Sequence, residues 1–321
     1  MNKPGICRYC ENPNTIILYS AKDTNDNSWI LRKCRSCKAI FLSPEPSPEQ
    51  LKQAYDSSYY GKGENKFGFS VEAFIDYFRK KRAKLMASKL SENASILDVG
   101  CGNGRFLFHL SRFGNFDLYG IELEGGSAHR ASKIKEIKLK IGTLEDSDFN
   151  ENSFDAITLF HVFEHLDKPR KTLDIIEKIL KKDGILVLSF PNIAGWQAKI
   201  FKANWYHLDP PRHLIFFDPC DLIEIMNDKG FVLVKKSWVS FEQNPYGWVQ
   251  SSLNSWCSRR EVLYERLKGN QKYAPEYGNI NIFFQKLFFM ISFPFFVGLD
   301  LVESIFGKSA TVQLTFKNNK M

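Results

Sequence analysis

The 321-residue chain has no uncharged apolar run reaching the roughly 18–20 residues of a membrane-spanning helix. The nearest, Leu287 to Leu299, is short and contains Pro294, so a span is not expected there. The segment Met1 to Cys10 has no apolar core of the kind an export signal needs, and a cytoplasmic location is the expectation. The seven cysteines are then expected as reduced thiols or metal ligands, not disulfides. No repeats or low-complexity tracts are visible. With 44% apolar and 25% charged residues, global disorder and collagen-like architectures are excluded. The length suits about two domains, or one large α/β domain with additions.

An acidic excess is also missing. Lys and Arg number 44 against 36 Asp and Glu, a net charge of +8. That favours anionic surfaces such as phospholipid, nucleic acid or phosphorylated substrates, or simply gives a solvated basic face. The sharpest basic cluster is Arg79, Lys80, Lys81, Arg82 and Lys84, on an amphipathic helix expected over Phe74 to Leu90.

Residues 1–42 have a character of their own. Cys7-x-x-Cys10 and Cys34-x-x-Cys37 bracket two β-like stretches, Thr15 to Tyr19 and Ser28 to Lys33, with a turn at Asp23, Asn25, Asp26 and Asn27. Two such pairs at the ends of a hairpin form knuckles able to place four thiolates around one ion, so Cys7, Cys10, Cys34 and Cys37 are expected to bind a structural zinc. A hairpin this small has little core, and the metal would supply folding energy. Residues 43–94 read as a proline-rich linker, Ser43 to Pro48, followed by helices and a segment around Tyr59, Tyr60 and Gly61.

From Ser95 the pattern alternates strands with helices: strands at Ser95–Val99, Leu118–Glu122, Ile137–Ile141, Phe154–Phe160, Ile185–Phe190 and Gly230–Ser237, and a last one at Thr311–Lys317. Alternation of this kind implies a parallel sheet with helices on both faces, and such sheets bind ligands at the carboxyl ends of their strands. The fold class expected is α/β, a Rossmann-like doubly wound sheet. It occupies residues 95–239 and recovers its last strand from 309–321, after an insertion at 240–308.

The most informative segment is Ile96-Leu97-Asp98-Val99-Gly100-Cys101-Gly102-Asn103-Gly104. A strand runs into three glycines at alternate positions and then a helix. Glycine there permits a sharp turn and close approach of a ligand to the main chain. Asp98 precedes the glycines, and Glu122 ends the next strand, where a carboxylate can accept both hydroxyls of a ribose. Phe160-His161-Val162-Phe163-Glu164-His165-Leu166 follows the fourth strand. It contains H-x-x-E-H literally, but at a loop leaving a strand rather than within a helix, so a zinc-peptidase reading is rejected.

These motifs resemble the class I S-adenosylmethionine methyltransferases, in particular a broad bacterial group with an HVxEH segment after the fourth strand. The resemblance covers Ser95 to Ser237 and the last strand. It implies seven strands, the final one antiparallel, and S-adenosylmethionine as cofactor. Gly100, Cys101, Gly102 and Gly104 would face the cofactor, Asp98 would support its methionine end and Glu122 its ribose, with Glu124 as rival. Leu144 and Glu145 would lie near the adenine, although Thr143 departs from the family's Gly-Asp. Phe160 and His161 would border the cofactor and acceptor. His165 is a packing residue or a neighbour of His161.

A second loop, Trp205 to Leu214, combines aromatics, Asp209, Arg212 and two histidines. His213 is the second candidate base beside His161; alternatively Arg212 and His213 pin the loop. Transfer from a sulfonium is an in-line displacement in which the protein aligns and desolvates the acceptor. A hydroxyl acceptor gains from a base near neutral pKa, which histidine supplies, so O-methylation is the leading expectation.

Eight phenylalanines lie between Phe283 and Phe306, many at helical spacing. A face this apolar must be covered by the chain's own sheet, by a second copy in a homodimer, or by a bilayer surface at residues 280–306. The bilayer option would place the enzyme at the inner face of the cell membrane and favour a lipid-linked glycan or quinone acceptor over a soluble one. A nucleic-acid acceptor is not expected, because no Asn/Asp-Pro-Pro-aromatic tetrad follows the fourth strand. The non-enzymatic alternative is a binding module that kept the fold without its chemistry.

Overall fold

A computed structural model describes residues 5–55, 69–270 and 273–320; Tyr59, Tyr60 and Gly61 lie outside them. The chain divides into two compact units, each discontinuous in sequence. Elements are numbered along the chain.

The first unit takes the described part of 1–68 with Pro191–Asp221 and Ser237–Val312. Strands β1 (Thr15–Lys22), β2 (Ser28–Cys34) and β3 (Ile40–Ser43) form an antiparallel meander, and β9 (Ile215–Phe216) pairs with β3. The β1–β2 turn is held by the Asp23 carboxylate, which accepts hydrogen bonds from the Asn25 and Asn27 amides, the Asn27 side chain and Trp29 Nε1. The meander's inward residues Trp29, Leu31 and Leu42 pack with Trp205, Leu208 and Phe216. The ribbon therefore obtains from residues 196–216 the core that a hairpin alone lacks. Helices α1 (Pro48–Ala54), α6 (Trp196–Phe201), α8 (Asn244–Trp256), α9 (Val262–Leu267) and α10 (Asn279–Ile305) complete this unit. Unbroken by Lys286 or Pro294, α10 runs for 27 residues, long and apolar enough by length and composition to cross a membrane.

The second unit carries the large sheet. Its strands are β4 (Ser95–Val99), β5 (Asp117–Glu122), β6 (Ile137–Ile141), β7 (Phe154–Phe160), β8 (Leu180–Pro191), β10 (Phe231–Ser237) and β11 (Thr311–Asn318), in the order β10-β11-β8-β7-β4-β5-β6. The sheet is mixed, with the final strand antiparallel. Helices α2 (Phe69–Ala87), α3 (Arg105–Leu110), α4 (Gly126–Ala131), α5 (Pro169–Ile179) and α7 (Pro219–Asp228) accompany these strands. Ile96, Leu107, Leu110, Leu118, Ala156 and Val187 form its core with Ala83 and Met86 of α2. From β4 the chain winds outward through β5 to β6, and from β7 outward the other way to β8. The β4–β7 junction is thus the switch point, the place at which open α/β sheets bind their ligands.

Candidate functional site

The glycine loop leaves β4 at that switch point. Gly100, Gly102 and Gly104 all have positive φ, near 71°, 58° and 73°, a region costly to residues with a side chain. At Gly100 a Cβ would also come within 2.3 Å of Val162, which belongs to the segment after β7. At Gly102 a Cβ would meet nothing within 4 Å, so its main chain borders open space. The loop is tied down by the Gly100 and Cys101 amides, both donating to the Ile121 carbonyl of β5.

Two carboxyl groups flank the loop. Glu122, at the end of β5, accepts a 2.6 Å hydrogen bond from the Gly102 amide and another from the Leu123 amide. Burial raises its pKa. Asp98 is buried within β4, and parallel pairing sets it beside Thr158 of β7, whose hydroxyl donates to it at 2.6 Å. Desolvation pushes the Asp98 carboxyl up to about 7 against the Thr158 hydrogen bond, with Glu122 adding repulsion and Arg82 relieving part of it. Arg82, on α2, stands 5.4 Å from the centre of the Phe160 ring, which also packs edge-on against Phe106. A glycine-lined space bordered by an ionisable carboxylate and a buried acid suits a ribose and the ammonium group of an amino acid end, so the donor set fits S-adenosylmethionine.

Other candidates distribute as follows. Cys101 and Leu144 are buried. Glu145 is exposed, with its carboxylate taken by Lys171 at 2.8 Å and by the Thr143 hydroxyl. His161 begins the loop after β7 with φ of 56°, a left-handed backbone that is uncommon for a residue with a side chain. Its amide donates to the Ser189 carbonyl of β8. Its ring lies between Ser189 Oγ, 3.3 Å from Nε2, and the buried carboxylate of Glu164, 3.5 Å from Nδ1. Sequence reasoning did not find the roles of Thr158 and Ser189. The signal was a lone hydroxyl within the apolar run at the carboxyl end of each strand.

His213 belongs to the first unit. It is buried, its Nδ1 lies 2.7 Å from the His207 carbonyl, and its Nε2 lies 3.9 Å from Asp209. Arg212 grips Asp209 through two nitrogens and donates to the Ala54 carbonyl. In the same unit the four cysteine sulfurs lie within 4.8 Å of one another, with Cys7–Cys37 at 3.5 Å and Cys10–Cys34 at 3.6 Å. Tetrahedral zinc thiolates stand about 3.8 Å apart, given Zn–S bonds of about 2.3 Å, so the cluster fits such an ion. The hydrogen bond between Cys7 and Cys37 lowers the pKa of the Cys7 thiol and raises that of Cys37.

A family model described as a methyltransferase domain matches residues 72–236, just over half of the chain. The chain is 32% identical over 117 residues to an uncharacterized protein of Rickettsia prowazekii (strain Madrid E), covering 34% of this chain and 47% of that one. It is 29% identical over 127 residues to the ubiquinone biosynthesis O-methyltransferase of Actinobacillus pleuropneumoniae serotype 5b (strain L20), covering 37% and 52%. The chain thus spans about half the length of these relatives. Among solved structures it is similar to the [4+2]-cyclase SpnF, at 16% identity and a TM-score of 0.53, over 85% of this chain and 97% of that one. That likeness concerns fold alone. On the family match and the fold, the chain belongs to the methyltransferase-domain family.

Proposed function

We propose that the chain is an S-adenosylmethionine-dependent methyltransferase that acts on a hydroxyl of a glycan, glycolipid or other small-molecule acceptor. The observation that carries this reading is the placement of His161 beside the glycine loop's switch point, between the Ser189 hydroxyl and the buried Glu164 carboxylate. When bound, the cofactor supplies an electrophilic methyl group on a sulfonium. Gly102 leaves room for it, Glu122 accepts the ribose hydroxyls, and Asp98 supports the ammonium group of the amino acid end. Glu164 favours a proton on His161 Nδ1, which leaves Nε2 to take the proton of the acceptor hydroxyl. The relative named as an O-methyltransferase supports oxygen as the methylated atom. Its name also supports the second reading, a quinone as acceptor. Cys7, Cys10, Cys34 and Cys37 hold a structural zinc in this proposal, since four thiolates leave no open position.

Calorimetry with S-adenosylhomocysteine tests the cofactor half. Binding by the wild type, lost in a folded Glu122→Ala variant, is the expected result; no binding by the wild type at millimolar ligand would sink the reading. Methyl transfer to candidate acceptors tests the rest. His161→Gln should lower turnover by about 10²–10⁴-fold with binding intact, whereas His213→Gln should lower thermal stability. If only His213→Gln abolishes turnover, the base is His213.

A further inference from the structure

The long helix α10 is inverted in polarity. Its buried residues are Gln285, Asp300 and Glu303. Asp300 accepts a hydrogen bond of 2.8 Å from Asn244 of α8, and Glu303 accepts one of 3.1 Å from the Trp248 indole of the same helix. Asn244 also receives the Thr311 hydroxyl, and α8 buries Gln250, Ser251 and Asn254 as well. Phe288, Phe289, Phe293 and Phe296 pack on Val249, Leu253 and Leu263. The opposite face is apolar and open. Ile280, Phe283, Met290, Ile291, Phe295 and Ile305 recur at helical spacing, each 59–79% exposed. A helix on the surface of a water-soluble domain shows the reverse pattern, with its polar face outward. The stripe extends over all 27 residues, about 40 Å at 1.5 Å per residue, beyond the apolar patches that soluble monomers ordinarily expose.

We propose that this stripe is a membrane-binding surface, on which α10 lies in the plane of an anionic bilayer with its outward face among the acyl chains. Charge favours lipid over a second copy of the chain. The helix has three charged residues; both acids are turned inward, and the one exposed charge, Lys286, is positive and suits an anionic headgroup. Tryptophans stand along the same helix. Trp256, about two-thirds exposed, meets Phe288 at 5.0 Å between ring centres. At the far end Trp196 meets Phe306 at 5.6 Å, and a Cβ on Gly307 would lie 3.1 Å from Trp238. Indoles settle at the boundary between headgroups and acyl chains. An in-plane placement, and not a span, follows from the hydrogen-bonded inward face. Asp300 and Glu303 are committed to α8, so only one side of α10 is offered to lipid. The inference concerns where the protein works and stands whether or not the proposed acceptor is right.

The test is co-sedimentation of the full chain with vesicles of phosphatidylcholine and phosphatidylglycerol, at low salt and at about 0.5 M salt, where the Debye length is only a few ångströms. The wild type is expected to sediment with the vesicles and to stay bound at high salt. Ile291→Asn with Phe295→Asn, at two exposed positions whose change leaves circular dichroism unaltered, is expected to weaken partitioning at least ten-fold. The proposal is overturned if the wild type does not bind, if high salt releases it, or if the double variant binds as well as the wild type. A vesicle-independent dimer that the same two substitutions dissolve, with no vesicle binding, would assign the stripe to a second copy instead.

Discussion

Raising the pH from about 6 to about 8 is expected to tighten S-adenosylhomocysteine binding about ten-fold, through Asp98. Burial pushes this carboxyl up to about 7, far above the ordinary aspartate value. The ligand's amino acid end carries an ammonium group that a carboxylate can accept from, so the binding-competent protein is the one with Asp98 ionised. At pH 6 about one molecule in eleven is competent; at pH 8 about ten in eleven are, and apparent affinity scales with that fraction. Stability of the unliganded protein runs the other way. A carboxyl whose folded pKa lies above its unfolded value holds its proton more tightly when folded. Its contribution is complete below about pH 4 and is lost as the pH rises through about 7. Thermal shift by the ligand should therefore grow with pH while the unliganded melting temperature loses this term. Calorimetry at three pH values and constant ionic strength measures the slope. Asp98→Asn keeps an acceptor for the Thr158 hydroxyl and removes the titration, so its affinity should be weak and flat. A flat wild-type profile, or a slope that persists in Asp98→Asn, would refute the assignment.

Other outcomes follow from the same geometry. Gly100→Ala should cost about 2 kcal/mol or more, from a left-handed backbone and a 2.3 Å clash with Val162; Val162→Ala in the same chain should recover part of it, which chemical denaturation would reveal. Glu164→Gln should reduce turnover less than His161→Gln, whose loss is expected at about 10²–10⁴-fold, with cofactor affinity unchanged in both. Near-normal turnover in His161→Gln would remove it as the base. The purified protein should hold about one zinc per chain by elemental analysis, and Cys34→Ser should lose the metal and melt earlier. Equal metal in that variant would count against the four-thiolate site.

Much of the second unit was legible in the sequence because its signals are local. Ser95–Val99 and Phe154–Phe160 are short, largely apolar stretches and Ile137–Ile141 alternates isoleucine and leucine with lysine, and all three form the strands expected. The glycine triplet after Asp98 announces a turn that only residues without a side chain tolerate. The cysteine pairs announce their cluster by spacing, since each knuckle is a local structure and only the meeting of the two pairs is not.

Tertiary structure decided what depends on pairing between distant segments. Parallel register sets Thr158 beside Asp98 and brings Ser189 to His161, and no spacing within either strand could reveal those partners. Pairing of β3 with β9, and packing of Trp29 against Trp205, joined the N-terminal ribbon to a segment some 170 residues on. Along α10 a wide apolar helix was legible, since the phenylalanines from Phe283 to Phe306 recur at its period, but composition is blind to direction. The packing of α10 on α8 decided which face turned inward, because a buried carboxylate needs a donor and Asn244 and Trp248 of α8 supply donors to Asp300 and Glu303.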